Sequence, residues 1–339
     1  MKLMKTEEAV GQVLCHDMTQ IIPGKKKDAA FRKGHIVTKE DIPILLSMGK
    51  DNIYVWEKKE GILHENEAAE ILYEICKNDY MERSEVKEGK IEIKSAVDGV
   101  FKVDTERLNK INSIGEMMIA TRHGNFPVKK GDKLAGTRII PLVIEEEKMN
   151  YAKKVSGEKP LLEILPFKKK KAVIITTGNE VYYGRIKDAF GPVIKEKLAE
   201  YNVEVLEQKI INDDASLITK AIEESIEDGA NMIICTGGMS VDPDDTTPTA
   251  IKNTGAELIS YGAPVLPGAM FLLAYAKGNI PIMGLPGCVM YNKRTIFDLI
   301  LPRVIADDNI TKKDLASLGE GGLCLECSHC TFPNCSFGK

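Results

Sequence analysis

The chain has 339 residues, of which 43% are hydrophobic and 28% are charged. This length predicts two or three domains, and this balance excludes a chain that is mostly disordered. The net charge of −4 indicates no basic surface, so we expect no nucleic-acid partner. No apolar run approaches the roughly 20 residues that a membrane helix needs, and the first ten residues lack the apolar core of a signal peptide. We therefore expect a cytoplasmic protein without a membrane partner.

The first half of the chain mixes short strand-like and helix-like segments. Residues 1–60 predict an N-terminal α+β region, which includes a short strand over residues 53–56. Residues 65–80 have the apolar spacing of an amphipathic helix, and short β-rich segments between glycine turns follow it. We therefore predict a small β-rich domain over residues 61–165.

From residue 172 to about residue 306 the pattern becomes a regular alternation of strands and helices. Strand-like apolar runs cover residues 172–175, 203–206, 232–235 and 280–283. Helix-like segments cover residues 190–201, 215–228, a stretch after Pro248, and 289–304. This alternation predicts an α/β domain over residues 170–306, with three α/β/α layers and a mostly parallel sheet.

Three glycine-rich loops follow predicted strands: the first loop is residues 176–180, the second is 235–240 and the third is 284–287. The carboxyl ends of parallel strands meet at one sheet edge, where ligands of open α/β folds bind. Glycine lets backbone N–H groups approach an anion, and nearby Thr, Ser and Asn side chains supply hydrogen bonds. The pattern predicts that the loops bind a phosphorylated small molecule. For each loop alone, the alternative is that its glycines only permit a tight turn.

Acidic side chains accompany the second loop at Asp242, Asp244 and Asp245. Asp245 could hold Mg²⁺, which binds one or two carboxylates together with phosphate oxygens. The alternative is that Asp244 or Asp245 only caps the helix that begins near Pro248. The chain has neither a GxxxxGK[ST] nor a GxGxxG motif, which disfavours a generic nucleoside triphosphatase and a dinucleotide-dependent enzyme.

Four of the eight cysteines lie in the last sixteen residues, with the spacing C-x2-C-x2-C-x4-C: Cys324, Cys327, Cys330 and Cys335. Thiolates at these intervals suit Zn²⁺ or an iron–sulfur cluster. We therefore predict a metal-binding tail over residues 319–339. The alternative is a disordered tail with free or oxidised thiols.

The ordered motifs of residues 172–306 resemble the molybdopterin-binding (MoCF biosynthesis) domain family. The resemblance rests on residues 177–181, 184–188, 236–245, 267–268 and 284–287. This family includes molybdopterin adenylyltransferases, molybdopterin molybdotransferases and competence-damage-inducible proteins. The resemblance implies a three-layer α/β/α fold whose glycine loops bind molybdopterin and its phosphate.

The resemblance also implies the roles of individual residues. Asp245 matches the acid that serves Mg²⁺-ATP chemistry in the adenylyltransferases, and Glu180 matches the acid of the first loop, so both are candidate catalytic residues. The candidate pterin-binding residues are Thr177, Gly178, Asn179, Asp188, Thr236, Gly237, Gly238, Ser240, Gly268, Gly284, Pro286 and Gly287. The molybdotransferases usually have Asn and Pro after the last loop, where this chain has Cys288 and Val289.

Three functions agree with these motifs. The first is a molybdopterin-binding protein of molybdenum cofactor biosynthesis, which performs Mg²⁺-dependent adenylyl transfer to molybdopterin or inserts molybdate. The second is a non-catalytic carrier or sensor of the cofactor, whose metal-binding tail docks a molybdoenzyme or another cofactor-biosynthesis protein. The third is a nucleotide pyrophosphatase of the competence-damage-inducible type. Related domains form dimers or trimers, so the resemblance implies a homo-oligomer.

Overall fold

A computed structural model describes residues 1–22, 26–55, 60–240, 242–243 and 245–339. Trp56, assigned to a predicted strand, and Asp244, of the acidic segment, lie outside the described residues. Within the described part of the chain, no helix has the length and apolar character that crossing a membrane requires. The chain forms two compact units: Met1–Ala96, Val103–Arg122 and Gly131–Glu163 make the first, and Val97–Lys102, His123–Lys130 and Ile164–Lys339 make the second.

The described strands and helices are numbered here in chain order. The strands are β1 (Lys2–Lys5), β2 (Met18–Ile22), β3 (Lys26–Phe31), β4 (Asn52–Val55), β5 (Ile62–His64), β6 (Met81–Arg83), β7 (Lys90–Ser95), β8 (Gly99–Val103), β9 (Met117–Thr121), β10 (Phe126–Val128), β11 (Lys133–Ile139), β12 (Val143–Glu145), β13 (Leu162–Pro166), β14 (Lys171–Thr177), β15 (Glu204–Ile211), β16 (Met232–Thr236), β17 (Glu257–Tyr261), β18 (Leu272–Ala276) and β19 (Ile280–Leu285). The α-helices are α1 (Asp41–Ser47), α2 (Glu65–Cys76), α3 (Thr105–Asn112), α4 (Glu146–Ser156), α5 (Asn179–Tyr182), α6 (Phe190–Ala199), α7 (Ala215–Glu227), α8 (Thr247–Asn253), α9 (Ile296–Ile305) and α10 (Lys312–Ser317).

The first unit consists of small antiparallel sheets and short helices. β1 pairs with β4, β2 with β3 and β5 with β12, and a four-stranded sheet has the order β6-β7-β11-β9. The amphipathic helix predicted over residues 65–80 is α2, which buries Ala68, Leu72 and Ile75 on one face. The His64 side chain accepts the Asn66 N–H and the Glu67 carboxylate accepts the His64 N–H, which fixes where the helix begins.

The second unit is built on a six-stranded sheet with the order β15-β14-β16-β19-β18-β17. β15, β14, β16 and β19 are parallel, and β18 is antiparallel to both of its neighbours, β19 and β17. Every residue of β16 is buried, as a strand covered on both faces requires. One face packs against α6 and α9, and the other packs against α7 and α8. The predicted three-layer α/β/α fold with a mostly parallel sheet is confirmed.

One predicted helix of this unit is wrong in its extent. The sequence predicts a continuous helix over residues 289–304, but the chain forms a short 3-10 helix over Gly287–Met290 and then α9. Thr295 between them has an extended backbone with φ of −142°. Its hydroxyl accepts the Phe297 N–H, and the Asp298 carboxylate accepts the Thr295 N–H, so this capping box starts a new helix.

Two further pieces complete the second unit. A three-stranded sheet has the order β10-β8-β13, and Phe126 of β10 joins the apolar core formed by α6, α9 and the main sheet. The tail after α10 lies against the same core, where Phe337 is only 3% exposed. The tail is therefore packed on the core, which disagrees with the alternative of a disordered tail.

Candidate functional site

The first and second glycine loops touch at the carboxyl edge of the sheet. Gly237 and Gly238 have φ angles of +84° and +54°, which L-residues with side chains rarely adopt. A Cβ at Gly237 would overlap the carbonyl oxygen of Thr177, and a Cβ at Gly238 would lie 2.8 Å from Thr247 Oγ1. These two glycines are therefore required by the packing of one loop on the other, whatever ligand the loops bind.

Buried threonine hydroxyls support these loops from below. The Thr247 hydroxyl donates to the Gly237 carbonyl at 2.9 Å, so the Thr177 hydroxyl must donate to Thr247 Oγ1, 3.1 Å away. The Thr236 hydroxyl donates to Thr176 Oγ1 at 3.3 Å. All four side chains are buried, so Thr177 and Thr236 hold the loops in place instead of presenting their hydroxyls to solvent.

The third loop joins the other two through an apolar contact. Met239 of the second loop packs on Gly284, where a Cβ would lie 2.6 Å from the methionine sulfur. Pro286 is buried, but Gly287 is exposed and an added Cβ would have no atom within 4 Å. Gly268, with a φ of +130°, is packed against Ile296 at the start of α9. The structure thus brings the three loops together and places Gly268 against α9.

Asp188 is held by the start of α6. Its carboxylate accepts the N–H of Phe190 at 2.9 Å and the N–H of Gly191 at 3.0 Å. Gln208 of β15 donates its amide to the same carboxylate at 2.7 Å and to Thr176 Oγ1 at 3.0 Å. Gln208 thus connects Asp188 to the first loop, a role that the sequence did not predict. The one feature that could have indicated it is a polar amide side chain within a strand.

The acidic residues of the second loop form a tight turn. The Asp242 N–H donates to Asp245 Oδ2 at 3.0 Å, and the Asp245 N–H donates to the Asp242 carbonyl at 2.9 Å. Asp245 is half-buried, Asp242 is exposed, and α8 begins without a side-chain cap. Asp245 is therefore used in this turn and does not cap α8. Glu180 is exposed on the first loop and folds back beside Gly178.

Tyr261 of β17 ties the second loop to the sheet. Its hydroxyl lies 2.9 Å from the Met239 carbonyl and 3.2 Å from the Ser240 carbonyl, and donates to this pair. Burial and then the negative charge of Asp245 raise the pKa of Tyr261, so it stays protonated as a donor. The sequence did not identify this residue, because it did not predict β17.

We expect Tyr261→Phe to lower the free energy of unfolding by about 1 kcal/mol, because the Met239 and Ser240 carbonyls lose the hydroxyl that donates to them. Urea unfolding followed by circular dichroism measures the change. Tyr291→Phe is the matched control, because Tyr291 is 75% exposed. Equal unfolding midpoints for the two variants would contradict the assigned role of Tyr261.

The four tail cysteines line one cavity of about 270 Å³. Cys324 and Cys335 are half-buried, whereas Cys327 and Cys330 are exposed. Across residues 1–339 apart from the undescribed positions, no three His, Cys, Asp or Glu side chains are grouped closely enough to hold a metal ion. The arrangement as it stands therefore does not support the predicted metal centre. Burial raises the pKa of the Cys288 thiol, which disfavours its use as a thiolate ligand beside the third loop.

Two family models match separate parts of the chain. Residues 173–306 match the family model described as "Probable molybdopterin binding domain". Residues 3–57 match a second model, described as "Domain of unknown function (DUF8806)". The first match covers all three glycine loops and the Asp242–Asp245 turn.

Individual relatives resemble the chain over limited stretches. A molybdenum cofactor biosynthesis bifunctional protein of Synechococcus elongatus is 33% identical over 85 residues, which are 25% of this chain and 27% of that protein. A CinA-like protein of Thermosipho melanesiensis is 35% identical over 91 residues, which are 26% of this chain and 22% of that protein. The chain thus spans about a quarter of the length of these curated relatives.

One solved structure that matches part of the chain is the tungsten cofactor synthesizing protein MoaB from Pyrococcus furiosus. It is 24% identical, with a TM-score of 0.34, and the match covers 40% of this chain and 93% of that chain.

Proposed function

Residues 173–306 belong to the molybdopterin-binding domain family, and from this premise we propose that the chain binds molybdopterin in molybdenum cofactor biosynthesis. The proposed reaction is Mg²⁺-dependent adenylyl transfer to molybdopterin or insertion of molybdate. The observation that carries the proposal is the meeting of three glycine loops at the carboxyl edge of the sheet. Ligands of open α/β folds bind at this edge.

The exposed parts of the loops offer groups that suit a phosphorylated pterin. Ser240 is exposed and Asn179 is half-buried, so a hydroxyl and an amide are available for hydrogen bonds. The open space around Gly287 lets a phosphate approach its backbone. The buried threonines hold the loops in one arrangement, so binding loses less conformational entropy.

The Asp245 carboxylate of the second loop is the proposed Mg²⁺ ligand. Oδ2 of Asp245 accepts the Asp242 N–H, and Oδ1 has no hydrogen-bond partner among the described residues. Mg²⁺ binds one or two carboxylates beside phosphate oxygens and water, which supports Asp245 as the proposed ligand and the exposed Asp242 as its neighbour on the same turn. The ion, when bound, would offset the negative charge of nucleotide phosphates. Glu180, exposed on the first loop, is proposed to accept or hold a proton.

The proposal includes further components that follow from the sequence. A zinc ion or an iron–sulfur cluster at the four tail cysteines completes the proposed set of cofactors. We propose that the chain forms a homo-oligomer in the cytoplasm. Other cofactor-biosynthesis proteins or molybdoenzymes are the proposed protein partners.

An anaerobic titration with molybdopterin and Mg²⁺-ATP tests the proposal. Bound pterin is followed by fluorescence, and the adenylated product is followed by chromatography. Binding together with product supports adenylyl transfer. Binding without product is followed by addition of molybdate and adenylated pterin: release of the nucleotide then supports molybdate insertion, and its absence supports the carrier. No pterin binding contradicts the proposal.

We expect Asp245→Asn to lower the rate of product formation about tenfold to a hundredfold, while pterin affinity changes by less than about twofold. The amide keeps the shape of the side chain but lacks the charge that Mg²⁺ requires. Asp228→Asn is the control, because Asp228 is an exposed carboxylate at the far end of α7. If Asp245→Asn and Asp228→Asn have equal rates, Asp245 is not a Mg²⁺ ligand.

The similarity to the CinA-like protein favours a second candidate, a nucleotide pyrophosphatase. This function predicts that the purified chain hydrolyses a nucleoside diphosphate derivative to two monophosphates in the presence of Mg²⁺. Such hydrolysis without pterin binding would favour the pyrophosphatase over the first proposal.

A further inference from the structure

The first 55 residues, here called the N-terminal region, have an apolar core of their own. Its buried side chains are Ala9, Leu14, Met18, Phe31, Val37, Leu45, Ile53 and Val55. Hydrogen bonds join this region to later residues of the first unit: Cys15 and Lys33 contact the His64 ring, and the Thr19 hydroxyl donates to Glu88 at 3.3 Å. The His64 ring, at the start of α2, is thus a meeting point of the two parts.

The contacts of His64 determine which ring nitrogen carries the proton. Nδ1 lies 3.1 Å from the Asn66 N–H, which can only donate, so Nδ1 carries no hydrogen. The ammonium group of Lys33 also donates to Nδ1, at 3.1 Å. The proton is therefore on Nε2, which donates to the Cys15 carbonyl at 2.5 Å. In this neutral form the ring joins Lys33, Cys15 and the first turn of α2.

Protonation of Nδ1 would remove the acceptor that these two donors share. The new N–H would face the Asn66 N–H and the Lys33 ammonium group, and none of the three can accept a hydrogen bond from another. His64 is only 2% exposed, so the imidazolium would also be buried beside a second positive charge. Both effects disfavour this arrangement in acid.

The charged groups around His64 agree with this direction. Burial first, and then the charge of Lys33, lower the pKa of His64 below its ordinary value of 6.5, and His16 acts in the same direction. The Cys15 carbonyl and the Glu67 carboxylate, which accepts the His64 N–H at 3.0 Å, act against them. The unfolded chain therefore takes up this proton at a higher pH than the folded chain. The contribution of His64 to stability is complete above pH 6.5 and is lost as the pH falls.

Two neighbouring groups also titrate, in opposite directions. Burial lowers the pKa of His16, so its contribution to stability is likewise lost in acid. Burial and the charge of Glu88 raise the pKa of Glu65, so its contribution increases as the pH falls. A test of His64 must therefore separate it from both groups.

We infer that His64 is a pH-sensitive clasp: its neutral ring holds the N-terminal region at the start of α2, and its protonation releases Lys33 and the first turn of α2. Acidification would loosen residues 13–35 while the main sheet of the second unit keeps its hydrogen bonds. The inference is independent of pterin binding at the three glycine loops.

Hydrogen exchange of the full chain, at about pH 7.5 and about pH 5.5 and corrected for the intrinsic exchange rate, tests the inference. We expect residues 13–35 and 64–76 to exchange about tenfold faster at the lower pH, the factor that one unit of pKa difference gives. β14 and β16 should keep their protection. Nitrogen NMR of the ring at the higher pH should show a proton on Nε2 and none on Nδ1.

Three variants separate His64 from its neighbours. His64→Gln cannot titrate, although its amide can still donate to the Cys15 carbonyl, so it should lose most of the pH response. Lys33→Met removes a charge that lowers the pKa of His64, so the response should move to higher pH. His123→Gln is the control, because His123 is exposed in the second unit, and it should keep the wild-type response.

Three results would overturn the inference: equal protection of residues 13–35 at both pH values, a proton on Nδ1 at the higher pH, or the full wild-type response in His64→Gln. The last result would assign the response to His16 or Glu65. Circular dichroism establishes that each variant is folded. If His64→Gln does not fold, Lys33→Met decides, because a response that stays in place or moves to lower pH also contradicts the clasp.

Discussion

Replacing Asp298 by alanine is expected to lower the free energy of unfolding by about 3–5 kcal/mol. The change leaves the buried ammonium group of Lys197 without its carboxylate partner and with the Lys293 carbonyl, at 2.9 Å, as an acceptor; the two side chains are only 8% (Lys197) and 3% (Asp298) exposed. Asp298 accepts two hydrogen bonds from Lys197, at 2.7 and 2.9 Å. It also accepts the Thr295 N–H, so α9 loses its capping box in the same variant.

Chemical unfolding in urea, followed by circular dichroism, measures this loss. The double variant Lys197→Met with Asp298→Leu is the matched control, because it removes both members of the buried pair, while Arg294 keeps its contact with Glu200. We expect the double variant to recover the part of the loss that comes from the unpaired ammonium group, because the capping box and the Arg294 contact are absent in both variants. If Asp298→Ala unfolds at the wild-type urea concentration, the buried ion pair does not stabilise the contact between α6 and α9.

Gly237→Ala is expected to lower the free energy of unfolding by about 2–5 kcal/mol and to weaken pterin binding at the same time. Its φ of +84° costs a residue with a side chain about 1–2 kcal/mol. The new Cβ would also overlap the Thr177 carbonyl, which forces the first and second loops apart and adds about 1–3 kcal/mol.

Gly278→Ala separates these two costs. Gly278 also has a φ of +84°, but an added Cβ there would have no atom within 4 Å. We expect this variant to lose only the backbone contribution, about 1–2 kcal/mol, and to bind pterin normally. Gly287→Ala, in open space on the third loop, should instead keep its stability and weaken binding. Equal losses of stability for Gly237→Ala and Gly278→Ala would show that the loops are not in contact.

The parallel part of the main sheet could be predicted from the sequence, because β14, β16 and β19 are continuous apolar runs. A strand that is covered on both faces needs a continuous apolar run, so these runs predicted buried parallel strands. β17 could not be predicted, because its residues are exposed or half-buried and it lacks the continuous apolar run of the buried strands. The interruption before α9 is a local effect of Thr295 and Asp298, and the apolar pattern alone does not show it.

The glycine loops of the candidate site could be predicted because each directly follows a strand. The supporting residues could not, since Gln208 and Tyr261 reach the loops from strands whose place in the sheet order is a tertiary property. The same holds for Asp188, whose carboxylate is occupied by the N–H groups of α6. Sequence motifs therefore identify the loops, and the sheet order determines what each side chain contacts.

The division of the second unit among three separate chain segments affects how it forms during synthesis. Lys102 of β8 pairs with Asp308 at 2.8 Å across a separation of 206 residues. At typical elongation rates, about 10–40 s pass between the synthesis of these partners. During that time Phe126, which is buried against the C-terminal core in the finished unit, has no such core to cover it. A chaperone that shields β8 and β10 on the ribosome should therefore increase the yield of folded protein more than one that acts on the released chain.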